Sequence, residues 1–350
     1  MRLITSSRFE KTLHGKSISL FTLTNHKGVS MQITNYGARI VSLYVPDRNG
    51  VSQDVVLGYD GIDDYLKTGN RYFGATIGQF ANRIAHAQFI LHNKVYTLNA
   101  NDAPHSLHGG AEGFHQVVWD VHQISDSKLE FTYTSKDGEE GFPGTVSVKV
   151  TYSISDNNEV TIAYTANTDQ PTVVHLTNHS YFNLKDAGKS SIELHQLQIL
   201  ASNYTPVDTS LIPTGYIETV ASTPFDFRRL TEIGKQINQP HEQLQIGTGY
   251  DHNYVLDGKG LKVVATVKEP TSGRIMEVIT DTPGIQFYSG NHIHQDILGK
   301  HNICYGNRHG FCLETQYFPD SPNQPHFPST VLNPEDTYQS TTVYKFSTSE

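Results

Sequence analysis

A carboxylate follows an apolar segment in the stretch Gly310–Pro328, which reads GFCLETQYFPDSPNQPHFP. Its first half, Gly310–Thr315, alternates apolar residues with Cys312 and Glu314, and this pattern predicts a buried strand. The four prolines of the second half exclude regular structure there. Because burying a carboxylate without a partner is costly, Glu314 is the first candidate for chemistry.

Five further stretches carry polar groups where the strand pattern breaks. They read GATIGQFANRIA at 74–85, HSLHGGAEG at 105–113, TNHSYFNL at 177–184, GYDHNYV at 249–255 and GIQFYSGN at 284–291. Each alone has a structural explanation, such as a solvated turn, a glycine turn or a hydrogen-bonded core histidine. The polar candidates that they contribute are Asn82, Arg83, His108, His179, Asp251 and Gln286.

Taken together with Glu314, these groups suit the lining of a polyol site. A sugar needs several hydrogen bonds from planar side chains and an aromatic face to stack on. Four aromatic residues are near enough in sequence to provide such a face: Phe80, Tyr181, Phe287 and Tyr288. The set therefore predicts a carbohydrate pocket built on strand ends.

The elements that position these residues are predicted to be strands. Apolar residues make up 37% of the 350, charged residues only 17%, and 19 Tyr and 16 Phe accompany 28 Gly, a composition that favours strands and tight turns. Period-two alternation predicts strands around 129–134, 146–154 and 160–164, and at Ser17–Leu23, Val29–Thr34, Ile40–Val45, Leu261–Val267, Ile275–Thr280 and Thr342–Phe346.

Helical signals are confined to Gly61–Tyr65 and Leu230–Gln239. Strands are therefore joined by hairpins and not by helices, which argues against a parallel doubly wound sheet. We expect an all-β fold with a few short helices, in which two broad antiparallel sheets pack as a large β-sandwich. Residues 1–350 are expected to form a single domain of this kind.

The net charge and the cysteine content limit the possible binding partners and the cellular location. The net charge of −9 argues against a nucleic-acid or anionic-membrane surface, since both need clustered Lys and Arg. No apolar run predicts a signal peptide or a membrane span. Cys304 and Cys312 are the only cysteines and are not spaced as a metal or redox motif, so we expect a reducing, cytoplasmic location.

Short motifs occur along nearly the whole chain in one order. They are NYGA at 35–38, LGYD at 57–60, ANRIA at 81–85, LHGG at 107–110, GFHQVVW at 113–119, TNHSYFNL at 177–184, TPVD at 205–208, IPTG at 212–215, TPFDF at 223–227, YDHN at 250–253 and LETQ at 313–316. In this order they resemble the aldose 1-epimerase (galactose mutarotase) family. The resemblance implies a galactose mutarotase-like β-sandwich with a sugar cleft, a free monosaccharide as substrate and no cofactor. A monomer or a weak homodimer fits this interpretation.

Carried over residue by residue, the resemblance makes Glu314 the general base and His179 the general acid. It assigns the sugar hydroxyls to Arg83, His108, Asp251 and Gln286, and it places Asn82 and Tyr181 in the same wall. Whether His108 or His179 delivers the proton is left open. The stretch NICYGNR at 302–308 has no assignment.

The chemistry that this family implies needs only one acid and one base. The base removes the proton of the C1 hydroxyl while the acid protonates the ring oxygen, the open aldehyde rotates about C1–C2, and closure on the other face gives the other anomer. The sequence does not rank galactose, glucose and other aldoses as substrates.

Three other functions fit parts of the pattern. A glycoside hydrolase needs two paired carboxylates, and only Glu314 and Asp251 could pair. A non-catalytic sugar-binding module needs neither Glu314 nor His179, and a hexose-6-phosphate 1-epimerase needs a cluster of Arg or Lys where the motifs offer only Arg83.

A metal site is suggested only by the pair His292 and His294. Two histidines at this spacing lie on one face of a strand, where both imidazoles could bind a metal. No clear third ligand accompanies the pair, so we expect no metal.

Overall fold

The computed structural model describes residues 2–67, 72–293 and 297–349. The strands of the first half of the chain are β1 (Lys11–Leu13), β2 (Lys16–Ile18), β3 (Leu20–Thr24), β4 (Ser30–Thr34), β5 (Arg39–Pro46), β6 (Ser52–Asp54), β7 (Ala75–Ile77), β8 (Arg83–Ile84), β9 (Gln88–Leu91), β10 (Lys94–Thr97), β11 (Ser106–Leu107), β12 (Asp120–Ser125), β13 (Lys128–Ser135), β14 (Val146–Ile154), β15 (Glu159–Thr168), β16 (Thr172–Val173) and β17 (Thr177–His179).

The strands of the second half are β18 (Gln196–Ile199), β19 (Ala201–Thr205), β20 (Glu218–Thr219), β21 (Thr231–Glu232), β22 (Asp251–Leu256), β23 (Lys262–Lys268), β24 (Arg274–Thr280), β25 (Gly284–Tyr288), β26 (Ile297–Leu298), β27 (Cys304–Tyr305), β28 (Cys312–Gln316), β29 (Val331–Leu332) and β30 (Tyr338–Thr348). The α-helices among the described residues are α1 (Ile62–Lys67) and α2 (Glu242–Ile246). Short 3₁₀ turns occupy Ser6–Phe9, Ala85–Ala87, Glu139–Gly141, Ile233–Lys235, Lys300–Asn302 and Ser321–Asn323.

The largest sheet is antiparallel and has nine strands, in the order β12-β13-β14-β15-β30-β24-β23-β18-β21. In β14 the valines at 146, 148 and 150 are buried while the residues between them are more exposed. This alternation leaves one face of the sheet apolar, and that face must be covered by another layer.

The covering layer consists of a four-stranded sheet, β3-β4-β5-β6, and a five-stranded sheet, β20-β19-β22-β25-β28. One buried apolar cluster contains residues of all three sheets, including Val150 of the large sheet, Leu43 of the four-stranded sheet and Phe287 of the five-stranded sheet. The core therefore lies between the layers of a β-sandwich, as predicted.

Three neighbouring strands of the five-stranded sheet carry the polar motifs. The antiparallel register sets Asp251 beside Tyr288 and Tyr288 beside Cys312, and it sets Gln286 beside Glu314. Because side chains alternate between the two faces of a strand, the intervening residues face the core instead. Those core residues are Tyr254, Ile285, Phe287 and Leu313.

The predicted strands recur in the structure with small changes of boundary, and two predictions need correction. Ser17–Leu23 is not one strand, because Asn35 accepts a hydrogen bond from the main-chain N–H of Ser19 and separates β2 from β3. The predicted helical segment Leu230–Gln239 begins with the edge strand β21, which pairs with β18, and retains only a single 3₁₀ turn. The helix α2 follows it and had not been predicted.

The described helices are short. None of them is both long and apolar enough to cross a membrane.

Leu313→Ala is expected to lower the free energy of unfolding by about 2–5 kcal/mol, because it leaves a cavity in the core directly behind Glu314. The matched control is Leu261→Ala, the same chemical change at a side chain that is 59% exposed, which is expected to stay within about 0.5 kcal/mol. Urea unfolding followed by circular dichroism measures both. Equal effects of the two changes would contradict the proposed packing.

Candidate active site

A pocket of about 420 Å³ opens on the polar side of the five-stranded sheet. Among the predicted site residues, the structure brings seven into its lining: Asn82, Arg83, His108, His179, Tyr181, Asp251 and Glu314. They come from β8, β17, β22, β28 and the segments that adjoin β8, β11 and β17. Residues separated by more than 200 positions in the sequence therefore share one cavity of a size typical of small-molecule sites.

Glu314 and His179 form a buried pair inside the pocket. Oε1 of Glu314 lies 3.6 Å from Nε2 of His179, and the side chains are 3% and 6% exposed. Oε2 of Glu314 has no hydrogen-bond partner within the described residues. Such a free acceptor, deep in a cavity and beside an imidazole, is suited to a substrate hydroxyl.

Burial moves the proton affinities of this pair in opposite directions. It raises the pKa of Glu314 well above its usual value, with the negative charge of Asp251 adding to the rise and Arg83 opposing it. Burial lowers the pKa of His179 to about 3, and its own main-chain carbonyl opposes the change. Burial therefore favours the uncharged forms of both groups.

The imidazole of His179 is fixed by its neighbours. Its ring stacks against the rings of Tyr72 and Tyr181, with centroid distances of 5.5 and 4.9 Å. Its Nδ1 lies 3.4 Å from the sulfur of Cys312. These contacts leave Nε2 as the ring nitrogen that faces Glu314.

His108 is held by the main chain of Asn82. The amide N–H of Asn82 donates to Nδ1 of His108 at 3.1 Å, and the amide of His108 donates to the carbonyl of Asn82. In the uncharged ring the proton is therefore on Nε2, because Nδ1 acts as an acceptor. Burial lowers the pKa of His108 well below its usual value, so this ring is a neutral hydrogen-bond donor.

Arg83 is positioned by its strand, by an ion pair and by the proline-rich loop. Its Nε donates to Oδ2 of Asp102 at 2.9 Å, and β8 pairs Arg83 with Leu107. The main-chain N–H of Asp320 donates to the carbonyl of Arg83, and the Asp320 carboxylate accepts from the amide of Ala85 at 2.9 Å. Asp320 thus binds the β8 segment through both its main-chain amide and its carboxylate. Its place in the sequence did not indicate this role.

Gln286 lies beneath Asp251 and is not one of the lining residues. Its Nε2 donates to Oδ1 of Asp251 at 2.7 Å, and its Oε1 accepts from Gln316 at 3.3 Å. Gly284 lies next to these hydrogen-bonded amide side chains, and a larger residue would not fit there. A Cβ at this position would come within 2.6 Å of the side-chain oxygen of Asn253. In this structure Gln286 contacts Asp251, which lines the pocket, and the predicted contact of Gln286 with a sugar stays a prediction.

Three ligand-type atoms of His108, His179 and Glu314 lie within 4.8 Å of one another, an arrangement that could bind a metal ion. The tautomer of His108 disfavours this, because Nδ1 is already an acceptor and Nε2 would have to lose its proton to bind a cation. His292 of the predicted histidine pair lines the pocket, and His294 lies outside the described residues.

The sequence patterns missed much of the apolar wall. The lining residues without a prior assignment are Tyr72, Phe73, Leu107, Leu211, Ile293 and Ile297. Of the predicted aromatic faces, Tyr181 and Tyr288 line the pocket, whereas Phe80 and Phe287 are buried in apolar clusters. The alternation of side chains along β25 could have predicted that Tyr288 faces the pocket and Phe287 the core, because Tyr288 lies on the same face of the strand as Gln286.

Comparison with known proteins identifies the family. The family model for aldose 1-epimerase matches residues 19–345. The chain belongs to the aldose 1-epimerase family. Its curated relatives include the galactose mutarotase of Bos taurus, which is 45% identical over 318 residues, or 91% of each chain, and that of Homo sapiens, which is 44% identical over 318 residues with the same coverage.

A more distant relative is the aldose 1-epimerase of Escherichia coli K12, which is 36% identical over 336 residues, covering 95% of this chain and 96% of that one. Among solved structures, an aldose epimerase homologue from C. elegans superposes with a TM-score of 0.88 at 31% identity, covering 95% of this chain and all of that one. The galactose 1-epimerase of Lactobacillus acidophilus gives a TM-score of 0.86 at 26% identity, covering 97% of both chains. The predicted family and fold are confirmed.

Asp320→Ala is expected to lower the free energy of unfolding by about 1–3 kcal/mol, because the amide of Ala85 loses its buried acceptor. Asp320→Asn keeps one acceptor oxygen and is the matched control, with a smaller expected loss. Urea unfolding compares the two variants. If both were as stable as the wild type, Asp320 would not be holding the β8 segment.

Proposed function

We propose that this protein interconverts the α and β anomers of free hexoses, galactose and glucose among them. The observation that carries the proposal is the buried Glu314–His179 pair, whose facing atoms are 3.6 Å apart in a pocket of about 420 Å³. Relatives of 43–45% identity that bear the name galactose mutarotase support the same reaction.

In the proposed reaction Glu314 is the general base and His179 the general acid. A carboxylate oxygen of Glu314 takes the proton of the C1 hydroxyl while Nε2 of His179 gives a proton to the ring oxygen, and the C1–O5 bond breaks to leave an aldehyde and a hydroxyl. After rotation about C1–C2, His179 takes the hydroxyl proton back and Glu314 returns its proton to the former carbonyl oxygen. Each residue ends the cycle in its starting protonation state, and nothing is oxidised or reduced.

The pair carries one transferable proton throughout this cycle. The cyclic sugar reacts from the state in which His179 holds the proton, and the open-chain sugar is bound when Glu314 holds it. Burial favours the state in which Glu314 holds the proton, because it raises the pKa of Glu314 and lowers that of His179. Coupled groups of this kind titrate as a pair and not as two independent residues.

The remaining lining groups orient the sugar. Arg83 offers guanidinium N–H donors beyond the Nε used by Asp102, and Asp251 keeps an oxygen that Gln286 does not use, so each can bind a hydroxyl. His108 donates from Nε2, and Asn82 lies in the same wall. Tyr181 and Tyr288 supply the aromatic surface. His108 is assigned to binding because His179 is the ring whose Nε2 faces Glu314.

The rival functions fit the pocket less well. A 6-phosphate would need clustered cations, and Arg83 is the only Arg or Lys among the described lining residues. The second carboxylate that a glycoside hydrolase would use, Asp251, is hydrogen-bonded to Gln286 and lies beside Arg83. A binding module has no use for an acid and a base held so close together.

The proposal also covers the domain organisation, the cellular location and the oligomeric state of the protein. A single domain spanning 1–350 is consistent with the apolar cluster that joins all three large sheets. Cys304 and Cys312 are free thiols, which suits the reducing cytoplasm. A monomer or a weak homodimer, acting without nucleic acid, membrane or cofactor, is sufficient for the reaction.

Glu314→Gln is expected to lower kcat by about 10²–10⁴-fold, because an amide cannot accept the anomeric proton. Asp251→Asn is the contrasting change, which is expected to raise KM by about tenfold while kcat changes less, since it weakens a hydrogen bond to the sugar. Polarimetry on freshly dissolved α-D-galactose and α-D-glucose measures both. Near-normal turnover by Glu314→Gln would exclude Glu314 as the base.

The pH dependence of kcat/KM follows from the shifts in the buried pair. Below the pKa of His179 both groups are protonated and no base is available, and above the raised pKa of Glu314 neither group is protonated and no acid is available. We expect kcat/KM to stay level as the pH falls through the usual glutamate value of about 4.3, and to decline only towards about 3. Polarimetry corrected for the buffer rate, with circular dichroism at each pH, tests this. A decline centred near pH 4.3 in the folded protein would refute it.

A further inference from the structure

A short hairpin forms part of the pocket wall. Its strands β26 and β27 pair Ile297 with Tyr305 and Leu298 with Cys304, and Ile297 is buried and lines the pocket. The hairpin includes the start of the stretch 302–308, to which the sequence analysis gave no role. It lies at the opposite end of the sequence from the four-stranded sheet, on which it nevertheless packs through Lys300.

Lys300, in the turn of this hairpin, is buried in an ion pair. Its Nζ lies 2.6 Å from Oδ2 of Asp54 and 2.6 Å from the carbonyl oxygen of Val41, and both charged side chains are only 2% exposed. The other carboxylate oxygen of Asp54 accepts from the amides of Leu43 and Val56. The ammonium group of the turn is thus bound to β5 and the end of β6.

Further hydrogen bonds hold the hairpin in the same place. The amide of Lys300 donates to the carbonyl of Gly58 at 3.1 Å, and the hydroxyl of Tyr305 also donates to this carbonyl while accepting from the Gly58 amide. The amide of His301 donates to the carboxylate of Asp60 at 2.7 Å. Every one of these partners belongs to the segment 41–60.

A buried ion pair adds little to stability relative to apolar packing, because removing two charges from water is costly. Burial lowers the pKa of Lys300 because the charged ammonium group has lost its contact with water, and the negative charge of Asp54 opposes this change. What such a pair supplies is one defined geometry, since any displacement of the hairpin would leave two charges buried and unpaired. The residues held in that geometry include one that faces the sugar pocket.

We propose that Lys300 is a positioning residue for the sugar pocket, which fixes the hairpin 297–305 on Asp54 and thereby holds Ile297 in the pocket wall. The proposal rests on the function proposed above. It assigns to the Lys300–Asp54 pair an effect on sugar affinity and none on proton transfer, because neither side chain lines the pocket.

The test is the double variant Lys300→Met with Asp54→Asn, which removes both charges and so avoids a lone buried carboxylate. It is expected to raise KM for galactose by about tenfold, the effect of an altered contact in an apolar pocket, while kcat stays within about twofold of the wild type. Hydrogen–deuterium exchange of the peptide that covers 297–305 is expected to become faster. A role confined to overall stability would leave KM unchanged.

The matched control removes an exposed pair in the same way. Lys16 and Asp120 are 2.9 Å apart and their side chains are 46% and 70% exposed, so Lys16→Met with Asp120→Asn should leave both KM and the exchange of 297–305 unchanged. Should the double variant fail to fold, Lys300→Gln with Asp54→Asn, which also removes both charges but keeps polar groups able to hydrogen-bond at both positions, serves in its place. Ile297→Ala, which trims the wall and leaves the pair intact, is also expected to raise KM.

A folded double variant with wild-type KM and wild-type exchange would overturn the proposal, as would a fall in kcat at unchanged KM. Unchanged KM in Ile297→Ala would overturn it as well. Failure of the proposed function is a separate result, namely a wild-type protein without mutarotation. In that case the exchange of 297–305, and galactose affinity by calorimetry on the wild type and the double variant, still decide whether Lys300 holds the pocket wall.

Discussion

The burial of one carboxylate beside one imidazole constrains the rest of this structure. Glu314 and His179 are both removed from water, and the free-energy cost of charging either of them in isolation is high. Because their facing atoms are 3.6 Å apart, the two groups can share one proton. In the proposed reaction the pair exchanges protons with the C1 hydroxyl and the ring oxygen of the sugar. The surrounding elements serve to keep this pair dry, close together and open to a small polar ligand on one side.

Antiparallel register provides the required precision. The alternation of side chains in β22, β25 and β28 gives one face to the core and the other to a grid of polar groups, in which Gln286 is the cross-strand neighbour of Glu314. Leu313 anchors the same strand in the core. A slip of one residue would exchange the two faces and bury the polar set in the apolar layer, so the packing that stabilises the sandwich also fixes the site.

The irregular segments supply what the sheet cannot. Asn82 and His108 have positive φ angles of 62° and 53°, and a pair of main-chain and ring hydrogen bonds holds them together. Asp320, also with positive φ, binds the main chain on both sides of Ile84. The hairpin that carries Ile297 is held in turn by a buried lysine. Polar contacts to the main chain thus fix the positions of these loop residues beside the strands.

The sequence by itself determined the fold class, the family and most of the polar site, because period-two alternation and short ordered motifs are local signals. Glu314 was a candidate as a strand-end carboxylate and His179 as a polar residue in a strand motif; both line the pocket, while their acid and base roles came from the family resemblance and remain a proposal. The amide contact between Gln286 and Asp251, the main-chain role of Asp320 and the burial of Lys300 against Asp54 were decided only by the tertiary structure. Each joins residues 35 to 246 positions apart, and no local pattern records which distant side chains will share a desolvated cavity.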